Sequence, residues 1–212
     1  MNSHDPLVFI VSGPSGSGKS TLVKKLLELP GMLFSKSCTT RPPRPTEKDG
    51  EWYNFVPPAE FQRMVDAGEF LEHARVFGKH RYGTPKKWLE QARATGADLV
   101  LEIDVQGAEQ VKQALPRAIL VFILPPSREE LERRLKERSE DPADEIRRRL
   151  ERAREEMLRY KDYDHVVVND DAERAGREVQ AIATAARSRT SDNERRIRKI
   201  LETFGGGDGD GG

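Results

Sequence analysis

Short apolar runs alternate with amphipathic segments along most of the chain. The apolar runs are LVFIVS (Leu7–Ser12), LVLEID (Leu99–Asp104), AILVFIL (Ala118–Leu124) and HVVVN (His165–Asn169). Continuous apolar runs of this length, without polar alternation, are typical of strands that are buried on both faces. The pattern therefore predicts a mostly parallel sheet covered by helices.

Helical periodicity appears between these runs. The segments are Ser20–Leu29, Gln106–Leu115, Ser127–Arg138 and Asp171–Ala186. Ser127 followed by Glu130 predicts a capping box at the start of the third segment. Strands that alternate with helices predict βαβ units, and so a three-layer α/β/α fold with a parallel core sheet.

Two stretches interrupt this rhythm, and a polar tail follows it. Residues 35–87 carry aromatics, prolines and short extended pieces, which predicts an insertion away from the sheet. Residues 127–160 are highly charged and mostly helical. The tail, residues 190–212, ends in GGGDGDGG, and its polar composition predicts disorder. The expected folded unit is thus 5–189, with a core of 5–34, 88–126 and 161–189.

Composition limits the cellular compartment and the binding partners that can be expected. Lys plus Arg and Asp plus Glu both number 36, so the formal net charge is zero and no global field attracts nucleic acid or a membrane. The single cysteine, Cys38, cannot form an intramolecular disulfide, which favours a reducing compartment. No leader sequence is recognisable, and no apolar run approaches the length of a membrane span. We expect a cytoplasmic protein with neither nucleic acid nor membrane as a partner.

A glycine-rich loop follows the first apolar run. GPSGSGKS, Gly13–Ser20, matches the phosphate-binding pattern GxxxxGK[ST] between a predicted strand and a predicted helix. Its main-chain N–H groups and the helix N-terminus can surround an anion, Lys19 adds a positive charge, and the Ser20 hydroxyl can bind Mg²⁺. The predicted ATP-binding set is Gly13, Pro14, Ser15, Gly16, Ser17, Gly18, Lys19, Ser20 and Thr21. The loop alone does not separate a GTPase, a motor ATPase and a small-molecule kinase.

A second candidate anion site lies in SCTTRPPRP. Arg41 and Arg44 are three residues apart and are flanked by prolines, which stiffen the backbone that carries them. Two fixed guanidinium groups suit a phosphate dianion, and Tyr53 could add a hydroxyl donor. A solvated basic loop is the alternative interpretation.

At this point a family resemblance becomes specific. SGPSGSGKSTL, SCTTRPPRP, EWYNFV, EFLEHARVFG, YGTP, LEIDVQGA, ILPPS and VVNDD occur in the order found in guanylate kinases of the bacterial type. The resemblance runs from about Leu7 to Arg187, and TTRPPR together with EIDVQG distinguishes this family among P-loop kinases. It implies transfer of the γ-phosphoryl group of ATP to GMP and dGMP with Mg²⁺, by a monomer or a homodimer.

The resemblance also implies roles for individual residues. Residues 35–87 would form the GMP-binding subdomain and residues 127–160 a lid. The implied GMP-binding residues are Ser37, Arg41, Arg44, Tyr53, Glu72, Tyr82, Thr84 and Asp104, and Asn169 would lie near ATP. Lys19, Arg41, Arg134, Arg138 and Arg149 would stabilise the transferred group. Guanine offers N1–H and N2–H₂ as adjacent donors, so a pair of carboxylates suits it and not adenine.

Other interpretations remain open from the residues alone. Asp104 could be a magnesium-side carboxylate at a strand end, as in other P-loop enzymes. Any lid arginine could be one of many solvated ion pairs on a charged helix. The whole chain could instead be a module that binds phosphorylated peptides, or a kinase of another phosphorylated small molecule. The intact loop favours an enzyme, and the Glu72 and Asp104 pair favours GMP.

Overall fold

The computed structural model describes residues 5–76, 80–138 and 143–204, without the side chains of residues 76, 138, 143 and 195. The strands are β1 (Val8–Ser12), β2 (Met32–Phe34), β3 (Ser37–Thr39), β4 (Tyr53–Phe55), β5 (Phe70–Val76), β6 (His80–Pro85), β7 (Asp98–Glu102), β8 (Ile119–Leu124) and β9 (His165–Val168). The helices are α1 (Lys19–Leu27), α2 (Pro58–Asp66), α3 (Lys87–Thr95), α4 (Val105–Ala114), α5 (Arg128–Arg138), α6 (Ala143–Met157), α7 (Ala172–Arg187) and α8 (Thr190–Phe204), and a 3₁₀ helix spans Leu158–Asp162.

The core is a parallel five-stranded sheet. Its strand order is β2-β7-β1-β8-β9, with Ile10 of β1 aligned with Leu101 on one side and Leu120 on the other. The four apolar runs form β1, β7, β8 and β9, as the sequence predicts. All these strands end at one edge of the sheet, where the loops after β1 and β7 carry the glycine loop and Asp104. Ligands of open parallel sheets bind at this edge.

Helices cover both faces of the core sheet. Phe9 and Val11 of β1 pack in one cluster with residues of α1 and α7, whereas Val8 and Ile10 pack in another with residues of α3 and α4. Successive strand residues point to opposite faces, and each face here is apolar because each meets a helical layer. The predicted three-layer α/β/α fold is confirmed.

A second, smaller sheet is built between Ser37 and Pro85. Its order is β4-β3-β6-β5, in which β3 and β4 are parallel and the other pairs antiparallel. Phe61 and Met64 of α2 pack under it with Phe70 and Cys38. Two short connections, Ser35–Lys36 and Lys86, join this sheet to the core, so its strands can present side chains toward the glycine loop without belonging to the core sheet.

Helices α5 and α6 pack on each other as a helical pair. Leu131 and Leu135 of α5 meet Ile146, Leu150 and Ala153 of α6 in a cluster of their own. Ser127 caps α5, since its Oγ accepts a hydrogen bond from the Glu130 main-chain N–H at 3.2 Å. Many of the described charged side chains on α5 and α6 form i,i+3 or i,i+4 ion pairs, for example Lys136 with Glu132 at 2.7 Å.

The predicted disorder of the tail is wrong for residues 190–204, which form α8. The apolar residues of this segment, Ile197, Ile200, Leu201 and Phe204, recur at helical spacing. Asp192 anchors the first turn through an ion pair with Arg117, and Asn193 Nδ2 donates to the Arg187 carbonyl at 2.7 Å. Residues 205–212 lie outside the described part of the chain.

Candidate active site

The glycine loop joins β1 to α1 in a conformation that only glycine accepts readily. Gly13, Gly16 and Gly18 have φ of 139°, 89° and 92°, in the left-handed region. A Cβ on Gly13 would collide with the Ile123 carbonyl oxygen, and one on Gly18 with the Asn169 side chain. These close approaches explain why three of the eight loop residues are glycine. The resulting loop conformation leaves the N-terminal N–H groups of α1 directed at the loop's interior.

Two polar side chains of the loop are already held in place. Lys19 Nζ donates to the carbonyl oxygens of Gly13 at 2.8 Å and Pro14 at 3.0 Å. Ser20 Oγ donates to Glu102 Oε1 at 2.8 Å, across 82 residues of sequence. Glu102 is the last residue of β7, so the core sheet itself places a carboxylate beside the Ser20 hydroxyl. Thr21 is exposed on the first turn of α1.

Asn169 and Arg134 support the loop from the side of β9 and α5. Asn169 is buried, and its Nδ2 donates to the Ser17 carbonyl at 2.8 Å. Arg134 donates to the same carbonyl at 3.3 Å and to the Asn169 carbonyl at 2.9 Å, while Glu130 accepts from its Nε at 2.7 Å. Both predicted residues therefore lie at the loop, where each contacts protein main chain.

Helices α5 and α6 also reach the outer side of the loop. Arg149 Nη2 donates to Ser15 Oγ at 3.2 Å. A Cβ on Gly16 would lie 2.9 Å from the Leu131 side chain and 3.1 Å from that of Leu135. The helical pair thus lies against the glycine loop and brings Arg134 and Arg149 to it. The Arg138 side chain, also predicted to act here, lies outside the described part of the chain.

The predicted arginine pair surrounds a carboxylate that the sequence did not single out. Arg41 Nη2 lies 2.9 Å from both Glu47 carboxylate oxygens, and Arg44 Nη1 lies 3.3 Å from Oε1. Arg41 Nε donates to the Tyr82 hydroxyl at 3.0 Å, and the Tyr53 ring packs against that of Tyr82. Four predicted phosphate ligands are therefore together in one cluster.

Three further predicted residues form a hydrogen-bonded chain across the small sheet. Thr84 Oγ1 donates to Glu72 Oε1 at 2.7 Å. Ser37 Oγ lies 3.4 Å from Thr84 Oγ1 and, since the Thr84 proton is used on Glu72, Ser37 donates in this pair. Glu72 is only 4% exposed, and this burial raises its pKa to about 7, with the Thr84 hydrogen bond lowering it and the nearby Asp104 charge raising it further.

Asp104 and Glu72 meet at the first turn of α4. Asp104 is the N-cap, since its Oδ1 accepts from the Gly107 N–H at 2.9 Å. A Cβ on residue 107 would lie 2.8 Å from Glu72 Oε2, so only glycine lets Glu72 approach the helix this closely. Glu72 of the small sheet and Asp104, which follows β7 of the core sheet, therefore both lie at the first turn of α4.

Glu47 and Glu102 are two polar residues of this region that the sequence-based prediction missed. Glu102 is the first residue of the EIDVQG motif, two residues before Asp104, and it lies at the end of an apolar run. This position at a predicted strand end could have marked it as a candidate. Glu47 gave no such signal, because a glutamate in the loop TEKDG has the composition of an ordinary turn. In the described ranges, no group of three or more His, Cys, Asp or Glu could hold a metal ion.

The parallel sheet and the glycine loop with Lys19 and Ser20 are those of a P-loop kinase. The arginine cluster and the buried Glu72 of the small sheet suit a small phosphorylated molecule as the acceptor. The chain belongs to the guanylate kinase family, whose model matches residues 6–200.

Curated relatives match this chain over most of its length and over most of their own. A guanylate kinase of Koribacter versatilis is 51% identical, with 92% of this chain and 86% of the relative covered. The guanylate kinase of Escherichia coli (strain K12) is 46% identical, with 92% and 97% covered. Among solved structures, the crystal structure of guanylate kinase from Anaplasma phagocytophilum superposes with a TM-score of 0.74 at 35% identity, covering 92% of this chain and 96% of that one.

No helix in the described residues is both long and apolar enough to cross a membrane.

Proposed function

We propose that the chain transfers the γ-phosphoryl group of ATP to GMP, with the glycine loop as the donor site and the small sheet as the acceptor site. The observation that carries this assignment is the buried Glu72, whose carboxylate is held by Thr84 beside Asp104. Two adjacent carboxylates can accept the N1–H and N2–H₂ donors of guanine. Adenine offers an unprotonated N1 at the same edge, which these acceptors would repel.

The acceptor phosphate belongs at the arginine cluster. Arg41, Arg44, Tyr53 and Tyr82 supply donors from three separate segments, and Ser37 and Thr84 complete the base pocket between the cluster and Glu72. A phosphate dianion favours two guanidinium groups over a single ammonium because each guanidinium can donate two parallel hydrogen bonds. The contacts proposed here involve the base and the phosphate, so dGMP should also be accepted.

Mg²⁺ fits the residues at the donor site. The Ser20 hydroxyl and the Glu102 carboxylate are oxygen donors 2.8 Å apart, and Mg²⁺ prefers one or two such protein oxygens together with substrate phosphates and water. When bound, the ion would neutralise negative charge on the phosphate oxygens of ATP. Ser20 is the proposed ligand, and Glu102 is placed to orient it.

Transfer needs no general base in this scheme. An oxygen of the GMP phosphate attacks the γ-phosphorus of ATP, the bond to the bridging oxygen breaks, and ADP and GDP result. The attacking oxygen carries no proton at pH 7, since the second phosphate pKa is about 6. Lys19, Arg41, Arg134, Arg138 and Arg149 would stabilise charge on the transferred group, and closure of the helical pair over the loop would exclude water.

The proposal also covers the partners, the cellular location and the domain organisation of the chain. The chain acts on free nucleotides, and we place it in the cytoplasm, where its single buried thiol, Cys38, stays reduced. Residues 35–87 would be the GMP-binding subdomain and residues 127–160 the lid of the 5–189 unit. Whether the enzyme works as a monomer or a homodimer can be measured by light scattering.

The acceptor profile tests the proposal. Purified protein with MgATP is offered GMP, dGMP, AMP, CMP and UMP at equal concentration, and ADP release is followed. We expect rapid turnover of GMP, slower turnover of dGMP and little of the others. Equal turnover of AMP would remove the guanine assignment, and no turnover of any nucleotide would favour a binding module.

A further inference from the structure

Glu47 is the residue around which the acceptor cluster is organised. Its side chain is 19% exposed, against 13% for Arg41 and 55% for Arg44. Both carboxylate oxygens lie 2.9 Å from Arg41 Nη2, and Oε2 accepts from the Arg44 main-chain N–H at 2.8 Å. Burial raises the pKa of Glu47, but the Arg44 main-chain N–H and the two flanking guanidinium groups outweigh this effect and lower the pKa below its usual value.

We propose that Glu47 is a positioning residue for GMP, which acts by fixing the orientation of the Arg41 guanidinium. This inference rests on the proposed function, in which Arg41 binds the acceptor phosphate.

The contacts of Arg41 show how the orientation is fixed. Nε donates to Tyr82, Nη1 to the Pro42 carbonyl at 2.7 Å and Nη2 to Glu47, so all three nitrogens are engaged in different directions. The Arg41 Cζ atom lies over two aromatic rings, 5.7 Å from the Tyr53 ring centroid and 5.5 Å from that of Phe55. Each terminal nitrogen carries a second N–H that can be donated to a phosphate, and the plane of that fork is already set.

Glu47 could instead occupy the place of the phosphate and leave when GMP binds. Two main-chain hydrogen bonds argue against this. The Arg44 N–H holds the carboxylate, and the Glu47 N–H donates to the Arg44 carbonyl at 3.0 Å, so residues 44–47 form a turn closed at both ends. Because the carboxylate is part of that turn, we infer that it stays beside Arg41 while the substrate phosphate binds the outer N–H groups.

Removing the charge of Glu47 tests the inference. The Glu47→Gln variant keeps the side-chain size, but its amide turns a donor toward the guanidinium groups. We expect KM for GMP to rise about tenfold, because a partly buried charge pair loses one partner and Arg41 loses its alignment. We expect KM for ATP to change by less than about threefold, since the variant lies outside the donor site.

Matched controls separate this role from a structural one. Glu60→Gln removes an ion pair of similar length, 2.8 Å to Arg63, on the exposed side of α2, and should leave KM for GMP unchanged. In an Arg41→Ala background, Glu47→Gln should add less than about twofold, since coupled residues are not additive. Glu47→Asp keeps the charge, so its KM for GMP should lie between those of the parent and Glu47→Gln.

Each kinetic result bears either on the role of Glu47 or on the proposed function. An unchanged KM for GMP in Glu47→Gln, or an additive effect in the Arg41→Ala background, would overturn the inference. A lower KM would show that the carboxylate competes with the phosphate. If Glu47→Gln fails to fold, Glu47→Asp decides alone, and a KM equal to that of the parent overturns the inference. Failure of the parent protein to use GMP would contradict the proposed function instead.

Discussion

The two proposed phosphate sites of this enzyme are built by different means. The donor site is one continuous stretch, Gly13–Ser20, shaped by main-chain conformation and by the start of α1. The acceptor site gathers side chains from three segments, with Arg41 and Tyr82 joined across 41 residues and the arginines held by another side chain, Glu47. A site of main-chain donors is encoded locally, whereas a site of side chains depends on the surrounding fold to set its geometry.

Loss of the donor-site lysine should have the largest effect. We expect Lys19→Ala to lower kcat by about 10³-fold or more, the range for removing a group that stabilises charge in the transition state. Steady-state kinetics with GMP and MgATP measure this, and circular dichroism verifies the fold. Lys24→Ala, on the exposed side of the same helix, is the control and should retain activity; equal losses in the two variants would contradict a specific role for Lys19.

The acceptor arginines should differ from each other. Arg41 is mostly buried and joined to Tyr82 and Glu47, while Arg44 is 55% exposed with one long contact to Glu47. We therefore expect Arg41→Ala to raise KM for GMP by about 10²-fold and Arg44→Ala by about tenfold, since charge pairs contribute more when desolvated. KM for ATP should change little in either. A reversed order would mean that the exposed arginine carries the phosphate.

The glycines of the donor loop should be more sensitive than glycines elsewhere. Gly18 has a φ of 92°, and a Cβ there would collide with Asn169, whereas Gly68 has a φ of 64° and open space around it. Gly68→Ala should cost about 1 kcal/mol, for the left-handed backbone alone. Gly18→Ala should cost about 2 kcal/mol more in the free energy of unfolding, because overpacking is added. Urea unfolding compares the two, and equal costs would contradict the proposed clash.

The acceptor site should also respond to pH through Glu72. Its pKa is raised to about 7 by burial, and guanine needs the ionised form as an acceptor. Lowering the pH from 8 to 6 should therefore reduce the ionised fraction, and with it the affinity for GMP, by about tenfold. Calorimetry with GMP at the two pH values measures this.

The raised pKa of Glu72 also affects the stability of the fold, with a pH dependence opposite to that of GMP affinity. The folded-state pKa lies above the ordinary value of 4.5, so the folded protein holds the proton more tightly than the unfolded chain between the two values. The contribution of Glu72 to stability should fall as the pH rises from 4.5 to 7. If the pH dependence of unfolding were the same in the parent protein and in Glu72→Gln, Glu72 would have an ordinary pKa.

Local patterns pointed to the glycine loop and to Arg41, Arg44 and Tyr53, whereas the other acceptor-site residues were predicted only from the family resemblance. The apolar runs gave β1, β7, β8 and β9 because strands buried on both faces need no polar alternation. Glu47 was missed because its partners are set by a turn, which a linear pattern does not specify, whereas Glu102 ends an apolar strand and could have been singled out. Disorder was mispredicted for residues 190–204 because the charge and glycine content of the tail outweighed the helical spacing of Ile197, Leu201 and Phe204.

Binding of the acceptor alone tests the central claim most directly. Calorimetry at pH 8, without ATP, should show one GMP bound per chain, no detectable heat with AMP, and a strong loss of GMP affinity in Arg41→Ala. A site that hydrogen-bonds specific donors can reject an analogue lacking them by about 10⁴-fold. Equal binding of AMP and GMP, or unchanged GMP binding by Arg41→Ala, would contradict a guanine-reading pocket beside an arginine clamp.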